Sequence, residues 1–68
     1  MPYQSNEDLP EPVRRSLPPH AQDIFRSAFN AAWQTYPADE EIAFRVAWAA
    51  VKKRYRKSGS RWVERSLA

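Results

Sequence analysis

The sequence contains no cysteine, so neither a disulfide nor a thiolate metal site can hold it together. Its single glycine, Gly59, excludes the glycine-rich loops that cradle phosphate groups and the glycine-centred loop of an EF-hand. Only one histidine is present, so a Ser-His-Asp relay or a histidine-based metal site would have to be built on His20. Long apolar runs are missing as well. The uninterrupted stretch Val46 to Val51 is six residues, far short of the ~20 needed to span a bilayer. The opening MPYQSNEDLPEP has neither a basic n-region nor an apolar h-region, and a cytoplasmic location is therefore expected.

What is present must compensate for a short chain. Sixty-eight residues form one domain, 1–68, near the lower limit for independent folding, because a chain this size buries only roughly 60% of its extended surface. Three Trp, three Tyr and three Phe are available to build the core, each able to bury on the order of 150–250 Å². With 43% hydrophobic and 28% charged residues the composition is that of a globular domain. The net charge of +3 conceals a polarity. Residues 1–51 carry four basic and seven acidic side chains, whereas residues 52–68 carry seven basic and one acidic. Such an imbalance bears on partners more than on fold.

Prolines and apolar spacing mark out three helices. Asp8 is an expected N-cap for a short helix over 11–16, with Val13 and Leu17 on one face and Pro18 ending it at Leu17. A second helix begins near Pro19 and runs to Tyr36, where Pro37 stops it. Ala21, Ile24, Phe25, Ala28, Phe29, Ala32, Trp33 and Tyr36 repeat on its apolar side, and Gln22, Asp23, Arg26, Ser27, Asn30 and Gln34 lie opposite. The third helix opens at Ala38-Asp39-Glu40-Glu41 and closes at Lys52-Lys53-Arg54-Tyr55-Arg56-Lys57, a charge order that suits the helix dipole. Within it, Ala43, Val46, Ala47 and Ala50 make a small-residue seam, and Phe44, Trp48, Val51 and Tyr55 a bulky one. Gly59 reads as a C-terminal stop. Arg61 to Glu64 alternates as a short strand, with Pro2 to Ser5 as its expected partner. The expected fold is thus mainly α: a compact three-helix domain with a minimal two-stranded ribbon formed by the termini. Its core is expected at Ile24, Phe25, Ala28, Phe29, Trp33, Phe44, Ala47, Trp48 and Val51, with Trp33 and Trp48 buried between the second and third helices.

The run KKRYRK admits three readings. A membrane-inserting segment fails because Arg45 interrupts the apolar stretch. A nucleic-acid grip would use the cations on phosphates and Tyr55 or Trp62 on bases. However, the acids at the start of the same helix would repel a duplex lying along it. An ordinary core helix with a dipole-favoured basic end accounts for the run without a ligand. As a surface for an acidic partner the candidate residues are Lys52, Lys53, Arg56, Lys57 and Arg61. His20, beside Pro19 at a helix start, reads as a structural residue. Asp39, Glu40 and Glu41 lack a loop that would arrange them as cation ligands. No catalytic residues, cofactor or metal are expected.

The segments MPY, DLP at 8–10, LPPHAQDIF at 17–25, AFNAAW at 28–33, Tyr36 and AFRVAWAAVK at 43–52, followed by Tyr55 and Trp62, resemble the ChaB family in order and spacing from Met1 to Trp62. Two departures are Pro19, at a place where a capping Ser would be unremarkable, and the short connection between Tyr36 and the third helix. The resemblance implies a compact helical domain whose termini pair. It also implies a small cation transport regulator associated with a calcium or sodium/proton antiporter. The expected reading is a non-enzymatic monomer that acts by protein contact at the antiporter's cytosolic face. Relatives fused to segments like the Rho-factor N-terminal domain keep a nucleic-acid-associated accessory role open as the alternative. The family motif contains no catalytic residue.

Overall fold

The computed structural model describes residues 3–65. A 3-10 turn, Asn6–Asp8, leads into α1 (Glu11–Ser16), α2 (Pro19–Thr35) and α3 (Glu40–Arg54), followed by the strands β1 (Tyr55–Ser58) and β2 (Arg61–Glu64). The prolines set the boundaries. Leu17 is extended (φ −106°, ψ 134°), as Pro18 after it requires, and this ends α1. Pro19 occupies the first turn of α2, where a missing N–H costs nothing. Pro37 then closes α2 behind Tyr36. The chain reverses through Ala38, whose φ of 64° is unusual for a residue with a Cβ, and Asp39 starts α3 by accepting a hydrogen bond from the Ile42 amide at 3.1 Å.

The core lies between α2 and α3. Phe25 and Phe29, one turn apart on α2, are fully buried. Opposite them Ala43 and Ala47 are fully buried too, and their small side chains leave room for the aromatic rings. Phe44 meets both phenyl rings, at centroid distances of 6.0 Å and 5.0 Å. Trp48 sits edge-on to Phe25 at 5.1 Å. Leu9, Val13 and Leu17, together with Val51 and Tyr55, close one end of this cluster. Of the expected core, Phe25, Phe29, Ala47 and Val51 are buried, whereas Ile24, Ala28, Trp33, Phe44 and Trp48 are half-buried against it. The tryptophans are therefore flanks of the core and not its centre. Val46, counted in the small-residue seam, is 40% exposed; the buried stripe follows Ala43, Ala47 and Val51 at four-residue steps and leaves Val46 on the outer side.

The polar side of α2 is a docking rail for the N-terminal segment. Asn30 acts as a surrogate strand: its Oδ1 accepts from the Tyr3 amide at 2.9 Å and its Nδ2 donates to the Tyr3 carbonyl at 2.8 Å. Arg26 donates from Nε to Asn6 Oδ1 at 2.8 Å, and Asn6 Nδ2 donates to Asp23 Oδ1 at 2.7 Å. Gln22 Nε2 donates to the carbonyls of Leu17 and Arg14 at 2.8 Å and 3.2 Å, serving carbonyls that α1 leaves without helical partners.

Three expectations from the sequence are corrected. Asp8 does not cap α1; the N-cap is Pro10, and Asp8 lies in the 3-10 turn, accepting from Ser5 Oγ at 3.3 Å. The third helix stops at Arg54, not Lys57. The ribbon is not made by the termini: β1 pairs antiparallel with β2, Tyr55 opposite Glu64 and Ser58 opposite Arg61. The reason is local. A two-residue Gly59-Ser60 loop, with Gly59 at φ 63°, joins strands that adjoin in sequence, as a tight hairpin requires, while the Tyr3 backbone is already satisfied by Asn30. Gly59 is accordingly a hairpin residue and not a helix stop. Pro2 lies outside the described residues. The vacated end of α3 is served by Arg65, which donates from Nε to the Lys52 carbonyl at 2.8 Å and from its amide to the Arg54 carbonyl at 2.7 Å.

Two substitutions test this architecture. Asn30→Ala leaves both Tyr3 backbone groups without their partner, so thermal denaturation should show a loss of about 1–3 kcal/mol. An unchanged melting temperature would mean that the N-terminal segment is not held by that amide. Ala38→Gly should stabilise the protein by roughly 0.5–1 kcal/mol. The left-handed penalty of about 1–2 kcal/mol is removed, offset in part by the greater freedom of glycine in the unfolded chain. A lower melting temperature for Ala38→Gly would contradict the left-handed turn.

Candidate functional site

The hairpin distributes the basic residues over different faces. Alternation along β1 puts Tyr55 and Lys57 on one side, with Glu64 and Trp62 opposite them, and Arg56, Ser58, Arg61 and Val63 on the other. Tyr55 is buried, so its side faces the helices. The candidate surface is thereby divided. Lys52 and Lys57 line a groove of about 520 Å³ whose other walls are Pro12, Ser16, Trp48, Ser60 and Trp62. Lys53 lies in a separate recess with Arg54, Glu64 and Arg65. Arg61 borders a third recess with Pro12, Arg15, Ser16 and Ser60, which adjoins the groove because Pro12, Ser16 and Ser60 are common to both. Arg56 is exposed on the outer side of β1.

In the lining of the groove, Trp48 of α3 and Trp62 of β2 pack at 5.5 Å with their ring planes tilted by 31°. Sequence reasoning placed Trp62 beside Tyr3 instead; Tyr3 packs on Phe29 at 4.8 Å. The overlooked signal was the dipeptide Gly59-Ser60, flanked by two four-residue segments each carrying an aromatic ring, a hairpin signature. Among the described residues the ion pairs are Arg15–Glu11, Arg26–Asp23 and Arg45–Glu41, at 3.5, 3.7 and 3.2 Å. The cations from Lys52 to Arg65 take part in none of them. Arg45–Glu41 is the i,i+4 pair that the sequence suggests, and both side chains are exposed, so it contributes little.

His20 stands in the first turn of α2 with its Nδ1 3.2 Å from the Tyr55 hydroxyl, and its ring meets the phenol edge-on at 6.3 Å. The contact ties the start of α2 to the junction of α3 and β1, a structural role. Among the described residues no three His, Asp or Glu side chains converge as a metal site would need, and no helix is long and apolar enough to cross a membrane. Of the acids at the start of α3, Asp39 is taken up by its cap and Glu41 by Arg45.

A family model described as ChaB matches residues 9–65. The chain belongs to the ChaB family. It is 46% identical to proteins of Escherichia coli (strain K12) and Shigella flexneri, each named "Putative cation transport regulator ChaB", over 97% of this chain and 100% of theirs. An NMR solution structure titled with the same name superposes with a TM-score of 0.85 at 47% identity, covering 96% of this chain and all of the other. The fold explains the motifs of this ChaB chain. In LPPHAQDIF, Leu17, Ala21 and Phe25 are buried, Pro18 and Pro19 set the helix boundary, and His20 meets Tyr55. In AFNAAW, Phe29 fills the core and Asn30 clasps Tyr3.

Burial raises the pKa of the Tyr55 hydroxyl, with Glu64 adding to the effect and Arg54 opposing it. Burial, and then Glu40, raise that of Tyr3. A raised pKa means that the native state holds these protons more tightly than the unfolded chain. Stability from this source is complete below the ordinary tyrosine value of about 10 and falls as pH climbs through the folded values. Alkaline titration should therefore show the protein losing stability above about pH 10, less steeply in Tyr55→Phe. Equal slopes in both proteins would remove Tyr55 as a source.

Proposed function

We propose that this chain is a non-enzymatic regulator of cation transport that acts by protein–protein contact, at the cytosolic face of a calcium or sodium/proton antiporter. The regulatory part of the reading rests on the family: near-full-length relatives carry a cation transport regulator's name. What favours contact as the means is the end of the molecule formed by α3 and the hairpin. There Lys52, Lys53, Arg56, Lys57 and Arg61 are exposed and outside the ion pairs of the described residues, and Lys52 and Lys57 line a groove with the half-buried Trp48 and Trp62. Like charges crowded on one end raise the local potential and attract an acidic surface. Residual enzyme chemistry would fall to His20, whose ring is engaged with Tyr55. The nucleic-acid alternative has weaker support, because the hairpin spreads the cations over several faces and does not align them along one track.

The test adds the purified chain, as a cytoplasmic monomer, to everted membrane vesicles carrying such an antiporter. Cation-driven collapse of the proton gradient is followed with a pH-sensitive dye. The chain should change the rate, and Lys52→Gln/Lys53→Gln/Lys57→Gln should fold normally yet act more weakly, in a manner that added salt also reproduces. Nuclease treatment should make no difference. No change of rate on adding the chain would overturn the proposal. Binding of DNA or RNA by the chain alone, falling steeply with log salt, would put the accessory-domain reading in its place.

A further inference from the structure

The groove between α1 and the hairpin has a composition more specific than a basic patch. It is lined by the tilted indole pair of Trp48 and Trp62 and by Pro12, together with the cations Lys52 and Lys57 and the hydroxyl-bearing Ser16 and Ser60. Beyond Pro12, Ser16 and Ser60 it continues into the recess bordered by Arg15 and Arg61. Among the described residues no carboxylate lines either part. Arg15, which borders the recess, pairs with Glu11 at 3.5 Å. An occupant complementary to this lining brings both negative charge and apolar surface of its own. Half-buried tryptophans ringed by long cationic side chains are the arrangement that anchors protein interfaces, with aromatic hot spots at the centre and a charged rim.

We propose that this groove docks an acidic, extended peptide segment of a partner protein, seating aliphatic side chains against Trp48 and Trp62 and placing flanking carboxylates on Lys52, Lys57 and Arg61. The inference rests on the reading of this chain as a protein-binding regulator and names the class of segment it takes. A single-stranded nucleic acid fits less well. Base stacking needs free aromatic faces along a continuous cationic track, and here Trp48 and Trp62 pack against each other while Trp48 also meets Phe25 in a T-shaped contact.

The three tryptophans make the test internally controlled, because Trp33 stacks on Phe29 at 5.9 Å and lines neither recess. The isotope-labelled full chain is titrated by two-dimensional NMR with the octapeptide Glu-Asp-Glu-Leu-Leu-Glu-Asp-Glu. The indole N–H signals of Trp48 and Trp62 should move while that of Trp33 stays. Replacing the two central leucines of the peptide by glycine should abolish most of the shift. Lys52→Gln/Lys57→Gln, whose unchanged Trp33 signal reports an intact fold, should weaken binding roughly tenfold. Stationary Trp48 and Trp62 signals overturn the proposal, as do equal shifts with the glycine peptide or shifts produced by oligothymidylate alone. The vesicle assay separates the two readings: transport regulation that persists without octapeptide binding removes the groove and keeps the regulator, and octapeptide binding without any effect on transport does the reverse.

Discussion

The packing of Phe25 and Phe29 against the alanines of α3 is the contact on which the other elements depend. Two phenyl rings without solvent exposure need a neighbour that does not project into them, and Ala43 and Ala47 supply it. Burying such rings contributes about 1.5–3 kcal/mol each, a large share for a domain whose total stability is only about 0.05–0.15 kcal/mol per residue. Once α2 and α3 are locked in this way, Phe44 and Trp48 fall on the flank of the same cluster, and the end of α3 lies where Leu9, Val13 and Leu17 can cover it. A small chain without disulfides thereby gains a continuous core from aromatic rings and alanines.

The second constraint is polar. Asn30, Arg26, Asp23 and Gln22 would be solvated on an isolated amphipathic helix, yet here they hold the segment from Tyr3 to Leu17 by its backbone and by Asn6. The side of α2 opposite the core is consequently not idle surface. It converts a two-helix contact into a closed domain by satisfying backbone groups that have no helix or strand of their own to pair with. At the other end His20 does similar work through Tyr55, where α3 gives way to the hairpin.

The hairpin links fold to function. By ending α3 at Arg54 and folding β2 back, it brings Trp62 onto Trp48 and turns Lys57 toward Lys52, while Arg56 is carried to the outer side. A continuous helix through Lys57 would have left these cations spiralling around a bare end. The turn instead creates a concave surface that combines aromatic and cationic side chains, the groove in which an acidic partner is proposed to dock.

Much of this was legible in the residues. Prolines at 12, 18, 19 and 37 fixed the helix boundaries because their geometry acts on the adjacent residue alone, and the spacing of Phe25 and Phe29 marked the inward face of α2 because helical periodicity is a property of the chain itself. On α3 the same periodicity offered two seams, and packing chose a stripe through Ala43, Ala47 and Val51 that draws on both. The motifs shared with the ChaB family were likewise readable, since they are words in the sequence. Tertiary structure decided the rest. Whether Tyr55 continued a helix or began a strand depended on the hairpin and on Arg65 taking up the last helical carbonyls. Whether Asn30 met water or the Tyr3 backbone depended on a segment 27 residues away. Which cations share a groove depended on a fold-back that brings Trp62 to Trp48. In each of these the local alternatives are closely matched in energy, and contacts made between distant residues choose among them.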